Sequence, residues 1–270
     1  MVSRRLLLGA LASGLTGVPL AALAEGDDHH APAPRKAAPR PRPAAAPAHA
    51  AAAPVRSTVA EYPKPAETHA PEVVIDPNEA LGRLKHGNAI FARGGASMAL
   101  PSWARINELS NGQKPFAIVV GCSDSRVPPE LVFDCTLGEL FVVRTAGSTV
   151  SREGLGSILY AVEHLGAPLI VVLGHTKCGA VGAAVDVATK HAHLHGALFD
   201  MALPILPAVI EAEASNPADL QDASIRQNAK NIAERLKTAD EAFSSRIAAG
   251  RLKVVSAVYS LQTGQVEFMG

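Results

Sequence analysis

Three stretches of the chain are apolar almost without interruption: FAIVVG at 116–121, LFVVRTAG at 140–147 and LIVVLGH at 169–175. A half-exposed strand alternates apolar and polar residues, whereas a strand covered on both faces has no polar side to show. These runs therefore predict buried strands of a parallel sheet. Between the second and third, SREGLGSILYAVEHLGAP at 151–168 is spaced as a helix that stops near Gly166 and Pro168, the crossover that parallel strands require. Ahead of the strands, DPNEALGRLKHGNAIFARGG at 76–95 has Asp76 as N-cap, Pro77 at the first helical position, Glu79 three residues after the cap and Gly94-Gly95 as the stop. Leu81, Leu84, Ile90 and Phe91 mark its buried stripe. RLKVVSAVYSLQTGQVEFMG at 251–270 reads as two strands folded back around Thr263-Gly264, which puts an antiparallel strand on the sheet edge. The pattern predicts one α/β domain over 73–270, a mostly parallel sheet flanked by helices, without internal repeats.

The first quarter of the chain follows other rules. Residues 1–24 begin with Arg4 and Arg5, continue through an apolar stretch from Leu6 and end in the small-residue site Ala22-Leu23-Ala24, the layout of a cleaved export signal. Gly9, Ser13, Gly14, Thr16, Gly17 and Pro19 interrupt the run, so the mature chain is expected to carry no transmembrane segment. The expected location is periplasmic or otherwise exported. Arg4-Arg5 resembles the pair of a twin-arginine signal, although Leu6-Leu7-Leu8 departs from the usual residues after it. Residues 25–72 are mostly Ala, Pro, His and basic residues, with too little large apolar surface to offset the entropy of ordering; a disordered, partly polyproline linker is expected. His29, His30, His49 and His69 there read as solvated side chains.

Alanine in this tail inflates the apolar fraction of 48%, and 25 Lys+Arg against 25 Asp+Glu leave no net charge to attract a polyanion. Nucleic acid is therefore not an expected partner.

Chemistry gathers where the strands end. Cys122, Asp124 and Arg126 follow the first run directly; His175 closes the third and Cys178 comes three residues later. Loops at the carboxyl ends of parallel strands build the reactive crevice of open α/β sheets. If the first and third strands are neighbours, two thiols and one imidazole meet there as a Cys2His set. With one position left open, that is a catalytic rather than a structural zinc site. The competing reading for an exported chain is a Cys122–Cys178 disulfide, with His175 merely hydrogen-bonded. Asp124 and Arg126 weigh toward metal, because a cross-link needs neither a carboxylate nor its counter-ion, though alone they could be an ordinary ion pair.

The combination Cys122-Ser-Asp124-Ser-Arg126 with His175-x-x-Cys178, set in ELFVVRTAG and GSILYAVEHLGAPLIVVLGHTKCGAVG, resembles the β-class carbonic anhydrases from about Asp76 to the final hairpin. The resemblance implies one zinc ion per chain on Cys122, His175 and Cys178, with Asp124 and Arg126 as the neighbouring dyad. It implies a sheet ordered 2-1-3-4 with an antiparallel edge strand, and a homodimer or higher homo-oligomer. The implied activity is that of a zinc lyase: zinc-bound hydroxide hydrates CO2 reversibly to bicarbonate and a proton. Two alternatives remain at this point, a CS2- or COS-type hydrolase on the same zinc, and an exported zinc-binding or redox module without turnover. Relatives inhibited by bicarbonate usually carry Trp three residues before the first zinc cysteine. Here that residue is Val119, and the sole tryptophan is Trp103. The constitutively open type is expected.

Two departures from the family pattern bear on the pocket. Cys135-Thr136 stands where many relatives have Gln-Gly, and a thiol cannot replace the amide as a donor. Cys135 reads either as apolar filler or as an oxidisable thiol near the metal. Ser148 stands where Asn is frequent. The alternating His191, His193 and His195 look like part of an insertion, readable as a proton relay, a second metal site or a solvated loop.

Overall fold

The computed structural model describes residues 76–95 and 101–269. The expected leader, the linker and the domain's start at 73 lie outside the described residues.

A five-stranded sheet ordered β2-β1-β3-β4-β5 organises the domain, with β1 at Ala117–Gly121, β2 at Leu140–Arg144, β3 at Leu169–His175, β4 at Lys253–Tyr259 and β5 at Val266–Met269. The first four strands run parallel and β5 returns antiparallel, as the pattern predicts. Val119 lies beside Val142 of β2 on one side and Val171 of β3 on the other, so the carboxyl ends of β1 and β3 are neighbours. β3 runs past that point to His175, which lies opposite Tyr259 of β4.

Nine helices are described: α1 (Pro77–Phe91), α2 (Trp103–Leu109), α3 (Pro129–Val132), α4 (Arg152–Glu163), α5 (Gly179–Lys190), α6 (Ala197–Ala202), α7 (Leu206–Glu213), α8 (Leu220–Thr238) and α9 (Glu241–Ala248). Asp76 caps α1 as predicted, its carboxylate accepting from the amides of Asn78 and Glu79. The buried stripe of α1 is Ala80, Leu81, Leu84, Gly87 and Asn88, with Ile90 and Phe91 only half-buried. The helix crosses so close to the chain after α3 that a β-carbon on Gly87 would stand 1.9 Å from the Phe133 carbonyl oxygen. Ser151 caps α4, and the crossover ends where Gly166 takes φ +71° before Pro168.

Two apolar clusters fill the faces of the sheet. One joins α1 and the chain after α3 to Val119, Val171 and Val255; the other joins α4, α8 and α9 to Ile118, Ile170 and Val254. β1 and β3 are wholly buried, which explains their unbroken apolar sequence. β2 is equally apolar yet only half-buried along most of its length, because it is the sheet edge and has a neighbour on one side alone. No helix among the described residues is long and apolar enough to cross a membrane.

Candidate metal centre

The end of β1 delivers Cys122, and the end of β3 delivers His175 with Cys178 opening α5. The three donor atoms lie within 4.8 Å of one another, and all three residues are buried. This is the sole gathering of three or more such side chains among the described residues. His191, His193 and His195 are not brought together: they follow α5 in an exposed segment without regular structure.

The two sulfurs are 4.0 Å apart and both cysteines are free, which removes the disulfide reading, since a bonded pair stands about 2.0 Å apart. Two sulfurs each about 2.3 Å from one tetrahedral zinc are roughly 3.8 Å apart, so the observed separation suits a shared ion. His175 adds a second sign. Its Nδ1 lies 3.0 Å from the Thr176 carbonyl oxygen, which can only accept, so Nδ1 carries the proton and Nε2 presents its lone pair. Nε2 is fully buried without a hydrogen-bond partner, the only such side-chain nitrogen or oxygen among the described residues. An orphaned buried acceptor facing two thiols fits a cation better than it fits a packed core.

The two thiols are pushed in opposite directions. Cys122 is pulled well below the ordinary thiol range, first by the hydrogen bond from Cys178 and then by the His175 ring and the amides of Asp124 and Gly147, against the opposing effect of burial. Cys178 is pushed up, by the same bond to Cys122 and by burial, while the first amides of α5 at Ala180 and Val181 act the other way. A cation between the sulfurs would favour the thiolate form of both.

Asp124 stands next to this set, its Oδ2 3.9 Å from His175 Nε2. Both carboxylate oxygens are taken by Arg126: Oδ1 accepts from Nε at 2.9 Å and from the Arg126 amide at 3.0 Å, and Oδ2 accepts from a terminal guanidinium nitrogen at 2.7 Å. The fork holds the Asp124 carboxyl far below the usual carboxylate range, so it is an acceptor at any physiological pH.

Arg144 was not singled out from the sequence. It closes β2, and its guanidinium donates to the Cys122 carbonyl at 2.8 Å and to the Asp124 carbonyl at 2.6 Å, pinning the loop that carries both residues. A lone charge ending an apolar strand was the available signal. Gly147 also escaped notice: its amide points at Cys122 Sγ from 3.4 Å.

Cys135 belongs to the apolar cluster of Val119 and Phe133, its thiol donating to the Phe133 carbonyl at 3.3 Å, and it is no member of the donor set. Of its two readings, apolar filler is the one the packing supports. Ser148 is buried with φ +56°, a conformation that Asn tolerates better than most residues, and its hydroxyl donates to the Leu173 carbonyl at 2.8 Å.

The carbonic anhydrase family matches residues 117–266, more than half of the chain. Carbonic anhydrase 2 of Mycobacterium tuberculosis is 38% identical over 190 residues, covering 70% of this chain and 91% of that protein. The carbonic anhydrase of Mycolicibacterium smegmatis is 36% identical over 192 residues, covering 71% and 93%. Among solved structures, the β-carbonic anhydrase CcaA superposes with a TM-score of 0.56 at 26% identity, covering 70% of this chain and 95% of that one. A tetrameric β-carbonic anhydrase of the filamentous ascomycete Sordaria macrospora gives 0.54 at 25% identity, covering 72% and 92%.

Proposed function

The chain belongs to the β class of the carbonic anhydrases, enzymes that hydrate CO2 reversibly, and from that premise we propose that Cys122, His175 and Cys178 hold its one zinc ion while Asp124, fixed by Arg126, orients the attacking water. The observation that carries this reading is the buried, unpartnered Nε2 of His175 facing two free sulfurs. Bound there, zinc supplies the Lewis acidity that makes water nucleophilic near neutral pH.

The remaining work falls to the chain. The Thr176 carbonyl fixes the His175 ring in the tautomer that leaves Nε2 free to bind. Asp124 is ionised at working pH, all the more so in its fork with Arg126, so it accepts a hydrogen bond from the water and never donates one. That bond turns an oxygen lone pair toward the carbon of CO2. Arg126, more than half exposed, keeps the carboxylate occupied and so away from the donor set. With both its oxygens on Arg126, Asp124 stands in the open arrangement, and the reading that it stays open rests on Val119 in place of Trp. The relatives described above all carry the carbonic anhydrase name, and none favours the CS2 or COS reading.

Export through the 1–24 leader and assembly into a homo-oligomer complete the proposal; the first rests on Arg4, Arg5 and the apolar run after them, the second on tetrameric relatives. Metal analysis with stopped-flow CO2 hydration tests the centre. About one zinc per chain with rapid hydration is the expected result, and a metal-free chain that still hydrates CO2 would reject the assignment. Cell fractionation, and light scattering of the purified protein, test the other two parts.

A further inference from the structure

Two amides of α8 reach out of the helix, one to the segment that carries Cys178 and the other to the loop after β2, which itself touches the Cys122 sulfur. Gln221 Nε2 donates to the Cys178 carbonyl at 3.0 Å. Asn228 Nδ2 donates to the Gly147 carbonyl at 2.9 Å, and the amide of Gly147 points at Cys122 Sγ. Seven residues, two helical turns, separate them, so both project from one face of α8, with buried Ile225 between. Along α8 Asn228 is buried between Ile225 and Ile232, with buried Ser224 one turn before it. Burying an amide is costly unless its hydrogen bond is made, and here the bond is spent on a loop 81 residues away in sequence.

The loop needs that bond. Gly147 at φ +73° takes a conformation open to glycine, but Ser148 next to it stands at φ +56°, and a non-glycine residue persists there only where the surroundings impose it. Ser148 is tied to β3 through the Leu173 carbonyl. Ile205 packs against Gly147 from another side, within 2.6 Å of where a β-carbon would sit. Next to Asn228 lies a cavity of about 220 Å³, also bordered by Thr149 and Arg235, so no solid packing presses on the loop there.

We infer that Gln221 and Asn228 are positioning residues of the metal centre, α8 acting as a brace that fixes the separation and direction of the two sulfur donors. Neither residue touches the reacting atoms. Asn228 acts through Gly147, whose N–H takes electron density from the Cys122 sulfur, and Gln221 acts through the backbone at the start of α5. The inference rests on the zinc reading above.

The test replaces Asn228 with Leu (N228L), which has the same branching but more bulk and no donor, and Gln221 with Ala (Q221A). Ile225→Val serves as the control for general loosening of α8. Zinc affinity is measured by chelator competition, and the cobalt-loaded proteins are examined for the thiolate-to-cobalt charge-transfer band. Outer hydrogen-bond partners of metal ligands are typically worth about 10- to 100-fold in affinity, so N228L is expected to fall in that range, Q221A near its lower end, each with a shifted band. Ile225→Val should leave both readouts unchanged. Affinity within twofold of the parent and an unmoved band in N228L and Q221A would overturn the brace, as would an equal loss in Ile225→Val. Should N228L fail to unfold cooperatively, N228A and Q221A decide on the same readouts. A parent protein that shows no thiolate–cobalt band would instead sink the metal site itself, so the two failures are distinguishable.

Discussion

Cys122 and Cys135 are both buried, 5% and 3% exposed, and lie thirteen residues apart on the same side of the sequence, yet the structure gives them opposite characters. Around Cys122 are a second sulfur, an imidazole and amides, which draw its proton away. Around Cys135 are Phe133, Val119 and the carboxylates of Glu139, Asp134 and Glu130, so desolvation first and then negative charge hold its proton on, outweighing the opposing Arg83 guanidinium. Burial alone therefore does not make a thiol inert or reactive. What decides is whether the surroundings offer donors and positive charge to the sulfur that loses its proton.

One substitution applied at both positions gives the largest contrast. Cys122→Ser should abolish zinc retention and lower CO2 hydration by more than about a thousandfold, because the residual donor pair no longer holds the Lewis acid. Cys135→Ser should keep the metal and, apart from some loss of stability, the activity. Metal analysis and stopped-flow assays on both proteins check this, and retention of zinc by Cys122→Ser would erase the distinction.

The next contrast lies within the Cys122 region. Asp124→Asn removes the acceptor but no metal donor, so zinc should remain while turnover falls by about a hundredfold or more, the usual range for a positioned acid–base group. Arg126→Ala should be milder, roughly tenfold, since Asp124 stays ionised at neutral pH without the fork and loses chiefly its orientation. Its folded carboxyl should return toward the usual range. In the parent the depressed carboxyl contributes stability at pH above its unfolded value, lost only as pH falls through the folded one. The stability gap between the parent and Arg126→Ala should therefore shrink as pH falls below the unfolded carboxyl value, and a gap that stays constant with pH would remove Arg126 from that role.

The sequence made the strands legible because β1 and β3 have no face to give to water, and it made Cys122, His175 and Cys178 legible because each sits at a strand end or within three residues of one. Composition could not show that β2, as apolar as its neighbours, would be half-exposed, since an edge position is a property of pairing. Arg144, Gln221, Gly147 and Asn228 were hidden for a related reason. Their contribution is made through backbone carbonyls and amides, which carry no residue-specific pattern, and through contacts between segments as far apart as 147 and 228. The side chains that carry chemistry leave a mark in the local sequence, whereas those that brace them are identified only after the chain has folded.

The smallest effect is expected at Cys135, and it concerns stability rather than turnover. Its thiol is pushed well above the ordinary value of about 9, so at alkaline pH the folded protein keeps a proton that the unfolded chain has lost. Stability then falls as pH rises above the unfolded value, by about 1.4 kcal/mol per pH unit at most, and the loss is absent below it. Cys135→Ala removes that dependence but leaves a small void costing about 1 kcal/mol near neutrality. Denaturant titrations at pH 7 and pH 10 should therefore show the parent more stable at pH 7 and the gap closed or reversed at pH 10. Equal slopes with pH in the two proteins would mean that Cys135 ionises as freely as an exposed thiol, and the contrast with Cys122 would lose its basis.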